Sequence, residues 1–382
     1  MRLIAMRPKP KGLKSMGRRN WLPCVAACCL SASALAQPLG SGQLPTQLVS
    51  KTGELTQSES RQLRDFVTDH AADLSSDDAA DRSTARQALG RPLRNSTVSV
   101  QFRLAYSRAL TPELESAFRQ GDRSTKIGVL LLAGQIATDQ AVRLGLDNLD
   151  DEDPIVRYQA AFSLGLTLDA VATRSPAITR AGVDRLVNAL ADRIGVETDL
   201  WVLDRVVRSM SAGLGISSQG FEGIKSSTMA SLAGGVAERV AALTGEAAPE
   251  QRERPTLLVL LRAAEIAQQA LTRRPITDAE AVAGARLGGE LLAFVSRRVA
   301  ASDLGDDERQ LLIQIARTGE NAIFFARSNH SQRRETPTPT RIGDNLADGG
   351  MPAFQRELGS LVGPRGSLTQ APFELGPFKL AN

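Results

Sequence analysis

The chain has 382 residues, 42% hydrophobic and 23% charged, a balance that excludes a wholly disordered polymer and allows one large domain or two ordinary ones. Its 46 Lys+Arg against 42 Asp+Glu give a formal charge of +4, but seven of the bases and none of the acids precede residue 37. The remainder holds 39 bases against 42 acids, so the basic excess belongs to the leader and carries no argument for nucleic acid as a partner.

Residues 1–36 read as an export signal. Arg2, Arg7, Lys9, Lys11, Lys14, Arg18 and Arg19 form its basic region, residues 21–36 are small and apolar, and Ala34-Leu35-Ala36 is a small-residue cleavage site. The expected cut follows Ala36 and places the chain in the periplasm or outside the cell. The apolar run is too short to span a bilayer, so no transmembrane helix is expected in the mature chain. Two other routes fit parts of the segment. Arg18-Arg19-Asn20-Trp21-Leu22 resembles a twin-arginine signal, with Pro23 in place of the usual Lys. Val25-Ala26-Ala27-Cys28 resembles a lipoprotein box, with few apolar residues after Arg19. All three cysteines (Cys24, Cys28, Cys29) lie here, so a chain cut after Ala36 has no thiol for a disulfide, a nucleophile or a metal.

Residues 37–55 lack periodicity and read as a linker. From 56 to 328 helix signals follow one another. Thr56 and Glu59 form a capping box, and Leu63, Phe66, Val67, His70 and Leu74 then share one face. Phe102, Ala105, Tyr106, Ala109 and Leu110 form the next stripe. Thr111-Pro112 reads as a new helix start, stopped by Gly121. Thr138 opens a helix through Leu149. Later faces run over Val183–Ile194 and Phe221–Val240, Pro255 starts a run to Leu271, Thr277 and Glu280 repeat the capping box, and Asp306 opens the last strong helix. The expectation is about 13 helices and no strand, because β-branched alternation is missing. Glycines inside the stripes (Gly128, Gly134, Gly145, Gly165, Gly234, Gly235, Gly288) imply close backbone approach, since each costs about 1 kcal/mol relative to Ala.

The segment Asp153-Pro154-Ile155-Val156-Arg157-Tyr158-Gln159-Ala160-Ala161-Phe162-Ser163-Leu164-Gly165 carries the most specific pattern. Asp153 is placed to cap a helix and Pro154 to fill its first position. Val156, Ala160, Ala161 and Leu164 make a narrow stripe that a neighbouring helix can approach. The segment resembles the first helix of a HEAT repeat. Weaker copies run from Asp78 to Gly90, Asp122 to Gly134 and Leu203 to Gly215. The resemblance implies a right-handed all-α solenoid of antiparallel helix pairs over 56–328, with Asp153 and Arg157 laddering to adjacent repeats, and a long concave face of the kind that binds proteins.

Chemistry-bearing residues are few. The acidic run Asp147, Asp150, Asp151, Glu152 and Asp153 lacks the Gly and Glu of an EF-hand loop and reads as a solvated turn, with weak calcium binding as the alternative. His70 lies among Asp69, Asp73, Asp77 and Asp78 but on an apolar stripe, so a packed imidazole is expected. His330 is expected in solvent. Trp201 is expected in the core or between repeats. Gly215-Ile216-Ser217-Ser218-Gln219-Gly220 has the wrong spacing for a nucleophile elbow, and no phosphate or dinucleotide loop occurs. Residues 329–382 hold Thr336-Pro337-Thr338-Pro339 and read as a disordered or loosely docked tail, with apolar clusters at 351–354, 361–362 and 372–378. The function expected is an exported, non-catalytic scaffold without a cofactor, binding unidentified protein partners through its concave face. The alternative is an envelope enzyme, or an enzyme's accessory subunit, with a carboxylate site in the groove.

Overall fold

Short polar side chains start many of the helices. In the computed structural model, which describes residues 42–243, 250–273, 275–300, 304–333 and 336–381, the capping box of Thr56 and Glu59 closes as expected, and Asp78, Ser99, Asp122, Asp153, Thr179 and Asp199 each accept a backbone N–H at a helix start. The export signal and its cysteines lie outside the described residues. Among the described residues are fifteen α-helices and no strand beyond one isolated bridge between Thr138 and Ala177.

The helices are α1 (Thr46–Val49), α2 (Gln57–Ala71), α3 (Ala79–Gly90), α4 (Val100–Gln120), α5 (Arg123–Ile136), α6 (Val142–Leu146), α7 (Pro154–Thr173), α8 (Arg180–Val196) and α9 (Leu200–Gly213). Then follow α10 (Ile224–Ala242), α11 (Glu250–Thr272), α12 (Asp278–Ala300), α13 (Asp306–Asn329), α14 (Ile342–Ala347) and α15 (Met351–Val362). Most of the extensive packing joins helices two apart in sequence, with the consecutive pair α12 and α13 the chief exception. One row runs α3, α5, α7, α9, α11, α13, each helix packed on the next, and a second runs α6, α8, α10, α12, α15. The core is the apolar seam between and along these rows, rich in Leu, Ala, Val and Ile. α7 has neighbours on both sides within its row and is accordingly buried at Val156, Ala160, Ala161, Leu164, Leu168 and Val171.

Close approach replaces side-chain bulk at several helix crossings. A Cβ on Gly134 of α5 would lie 2.6 Å from the Ser163 carbonyl of α7, and one on Gly235 of α10 2.6 Å from the Ala191 carbonyl of α8. Gly234, expected to serve the same purpose, faces open space, and Gly128 meets only the Arg86 side chain.

Several expected boundaries move. Thr111 and Pro112 do not start a helix: α4 runs through them, because Leu110, Thr111 and Leu114 are all buried and hold the backbone helical across the proline. α11 likewise begins at Glu250, ahead of Pro255. The segment 37–55 is not wholly linker, since α1 buries Leu48 and Val49. The largest correction concerns residues 329–382. This segment forms α14 and α15 and buries Ile342, Leu346, Phe354, Leu358, Leu361, Val362, Leu368, Phe373 and Phe378. Its apolar clusters pack against α12 and α13. Glu320 of α13 accepts hydrogen bonds from Thr340 Oγ1 and the N–H groups of Ile342 and Gly343, anchoring the start of α14. His330 is buried rather than solvated and packs on Phe373. Phe378 fills a notch at Gly289 of α12 that any Cβ would occlude. The segment thus covers apolar faces of α12 and α13.

Candidate functional site

The Asp153–Gly165 segment sits at the centre of the first row. Asp153 Oδ1 accepts the Ile155 N–H at 2.9 Å, and the carboxylate pairs with Arg123. Desolvation raises the Asp153 carboxyl, but the Ile155 N–H and Arg123 outweigh it and hold it below its ordinary value. Pro154 occupies the first turn. Ala160, Ala161 and Leu164 are fully buried, Val156 nearly so. The Ala161 carbonyl accepts a hydrogen bond from Ser209 Oγ of α9 at 2.7 Å, and a Cβ on Gly165 would lie 2.6 Å from that same oxygen.

Charged side chains step along the heads of the first row. Arg82 of α3 lies 3.9 Å from Asp122, which caps α5; Lys126 of α5 lies 3.7 Å from Asp151, ahead of α7; Arg157 of α7 pairs at 2.9 Å with Glu197, ahead of α9. Each cation stands one turn into its helix and reaches the acid at the start of the next. The last rung is the strongest. Glu197 is fully buried and accepts from Arg157, from Arg193 Nε at 2.8 Å, and from the N–H groups of Thr198 and Asp199. Burial alone would raise this carboxyl, yet the two arginines and the Asp199 N–H hold it at about 2. Sequence reading passed over Glu197 because no periodic stripe contains it. The cap at Asp199 also corrects the fourth copy of the motif: its head is Asp199, one turn before the Leu203 expected to start it.

The corrected register explains Trp201. It stands two residues after its cap, as Ile155 does after Asp153, and both positions point away from the core. Trp201 is 79% exposed rather than buried. α7 and α9 lie side by side with Arg205 over the rings of Tyr158 and Phe162, at 4.8 and 5.0 Å. α9 and α11 are tied by Asp204 and Arg262 at 2.7 Å. Ile155, Trp201 and Leu258 are exposed on three successive helices of the first row, α7, α9 and α11. With Val196, which ends α8 just before Glu197, they are the large apolar side chains that remain exposed among the described residues. Between α9 and α11 a groove of about 480 Å³ is lined by Arg208, Ser211, Arg262, Glu265, Ile266 and Gln269.

The other candidates fold into the structure's own bonding. Asp150 pairs with Arg193, and Asp151 with Lys126, so the acidic turn is occupied by cations of this chain. His70 packs edge-on to Phe66 at 4.8 Å, with Nε2 buried and unpartnered. Among the described residues no group of three or more His, Cys, Asp or Glu side chains is placed to hold a metal. Two carboxyls are raised by burial, Glu290 and Glu320; they stand on different helices, one beside Arg286, Arg297 and Lys379, the other anchoring α14. No helix of the described residues is long and apolar enough to cross a membrane.

No protein-family model matches the chain, and no curated protein matches it. Among solved structures it is similar to an engineered protein determined as a structural-genomics target, at 14% identity over 69% of this chain and 97% of that one, with a TM-score of 0.35.

Proposed function

We propose that the chain is an exported, non-catalytic scaffold built as a right-handed HEAT-like α-solenoid, which binds protein partners through the face carrying Ile155, Trp201 and Leu258, taken as its concave face. The leader supports export, with release after Ala36 into the periplasm or beyond. The two-apart packing of the helices and the charged rungs between their heads support the repeat reading. One observation carries the functional reading: large apolar side chains on three successive helices of one row, including a Trp at 79% exposure, are left exposed. Exposed apolar surface and Trp anchors are features of protein-binding faces.

The test is a comparative capture. The native protein and an Ile155→Ser/Trp201→Ser/Leu258→Ser variant are immobilised and exposed to envelope extract of the native host. The expected result is a protein retained by the native chain and lost with the variant, both chains having the same helical circular dichroism. Equal retention by the two would show that this face is not the binding surface. Turnover of a substrate by the purified protein, abolished by replacing one or two carboxylates, would favour the enzyme.

A further inference from the structure

The far end of the chain lies on α12 much as a peptide ligand would. Residues 376–381 form neither helix nor strand. Phe378 is the one buried side chain among them, seated where a Cβ on Gly289 would lie 2.4 Å from its ring. Two hydrogen bonds tie these residues to the rest of the described chain. Arg297 donates to the Lys379 carbonyl, and the Ala381 N–H donates to Ser296 Oγ at 3.3 Å. The bed beneath them keeps polar capacity in reserve. Arg297 Nε is buried without a hydrogen bond. Glu290, next to Gly289, is half-buried and raised by burial; Arg286, Arg297 and Lys379 act on it only from a distance, without an ion pair. Beside Leu380 a groove of about 430 Å³ opens between α12 and α15, walled by Val299, Met351, Phe354 and Leu358.

We propose that this bed on α12 is a peptide-docking site filled in cis by residues 376–381, and that a partner protein displaces them with a short non-helical segment carrying an aromatic residue followed by Lys or Arg. The site stands on the second row and does not rest on the exposed side chains of the first. The occupant's chemistry is read from the pair that now fits, the Phe378 ring in the Gly289 notch and Lys379 in the field of Glu290. One ring and two hydrogen bonds are a small attachment. α14 and α15 are held separately, by Glu320 and by their own buried apolar residues, so residues 376–381 can leave without unfolding them. A tethered segment competes at an effective concentration in the millimolar range, and the strap therefore sets a threshold. A partner exceeds it by using what the strap leaves unused: an acceptor for Arg297 Nε, a cation at Glu290, an apolar side chain in the groove.

The probe is a fluorescein-labelled peptide with the sequence of residues 372–381, followed by anisotropy on titration with the full chain. Full-length Phe378→Ser, whose strap has lost its anchor, should bind the peptide about tenfold or more tighter than the native chain, because a buried aromatic anchor is worth at least that much. Adding Gly289→Val to that chain, or Phe378→Ser to the peptide, should abolish binding, and Lys379→Glu in the peptide should weaken it severalfold. Circular dichroism confirms that each variant keeps its helices. Should Phe378→Ser not fold, Phe378→Leu keeps an apolar side chain in the notch and gives the same comparison with a smaller gain. The proposal is overturned by absence of binding to the anchor variant, by equal binding to variant and native chains, or by binding that survives Gly289→Val. Indifference to Lys379→Glu overturns the basic residue assigned to the partner. A native dimer dissolved by Gly289→Val makes a second copy the occupant and overturns the partner assignment.

Discussion

Glu197 shows how much a single residue can carry. Its carboxylate gives up water completely and survives in the charged form because two arginines and two backbone N–H groups replace that water. Removing Arg157 takes away one of the two cations while Arg193 and the N–H groups remain, so Arg157→Met is expected to cost about 1–3 kcal/mol, measured by urea unfolding at neutral pH. The pH dependence follows from the direction of the shift. The folded-state carboxyl titrates at about 2, below its ordinary 4.5. Its contribution is therefore fully present above pH 4.5 and is lost as pH falls towards 2. The melting temperature should drop across that window, and the drop should shrink in Glu197→Gln, which keeps the shape and lacks the titration. An equal drop in both proteins would assign the acid sensitivity elsewhere.

At the scale of helices, small residues decide which pairs come close. Gly134 and Gly165 sit where α5 meets α7 and α7 meets α9. Alanine at either gains helix propensity of about 1 kcal/mol but forces the crossing apart, so a net loss of about 1–2 kcal/mol is expected from thermal or urea unfolding. Gly234 has no neighbour within 4 Å of a built Cβ, and Gly234→Ala should be neutral or raise stability by up to about 1 kcal/mol. The opposite ordering of these variants would mean that the α5–α7–α9 crossings are looser than their geometry. The same logic holds at the end of the chain. Gly289→Val should expel Phe378 from its notch and make residues 372–381 sensitive to protease, while the helical circular dichroism stays near that of the native protein.

For the whole molecule, the C-terminal segment changes the expected result of truncation. Read from sequence as disordered or loosely docked, residues 331–382 are expected to be removable with the helical fold intact. In the structure their removal uncovers α12 and α13 and takes from Glu320 the Ile342 and Gly343 N–H groups it accepts from. Deletion should lower the melting temperature by roughly 10 °C or more or drive aggregation, as loss of a capping element does in stacked-helix arrays. An unchanged melting temperature would return the segment to the role of a spacer. Chelator treatment is expected to leave the melting temperature unchanged, because Asp150, Asp151 and Asp153 of the 147–153 turn pair with arginine and lysine of the chain itself.

Local chemistry written in the sequence determined where many helices start, that helices dominate, and which segment is most regular. Capping side chains act within a few residues, and a 3.6-residue stripe needs no partner to be visible. The Asp153–Gly165 segment was legible for that reason, and Val156, Ala160, Ala161 and Leu164 of its stripe are buried. What a stripe does not encode is its partner. The row-by-row packing, the burial of Glu197 and the docking of residues 336–381 depend on residues 20 or more positions apart. Trp201 looked like a core residue because its chemistry is apolar; its place two residues after a cap turned it outward. Thr111-Pro112 looked like a helix start because its local preference is strong, and burial of Leu110, Thr111 and Leu114 in the assembled rows overrode it. Short-range bonding thus set the elements. Only the tertiary structure decided which faces were covered and which were left open, because burial is a property of the neighbours a residue acquires on folding.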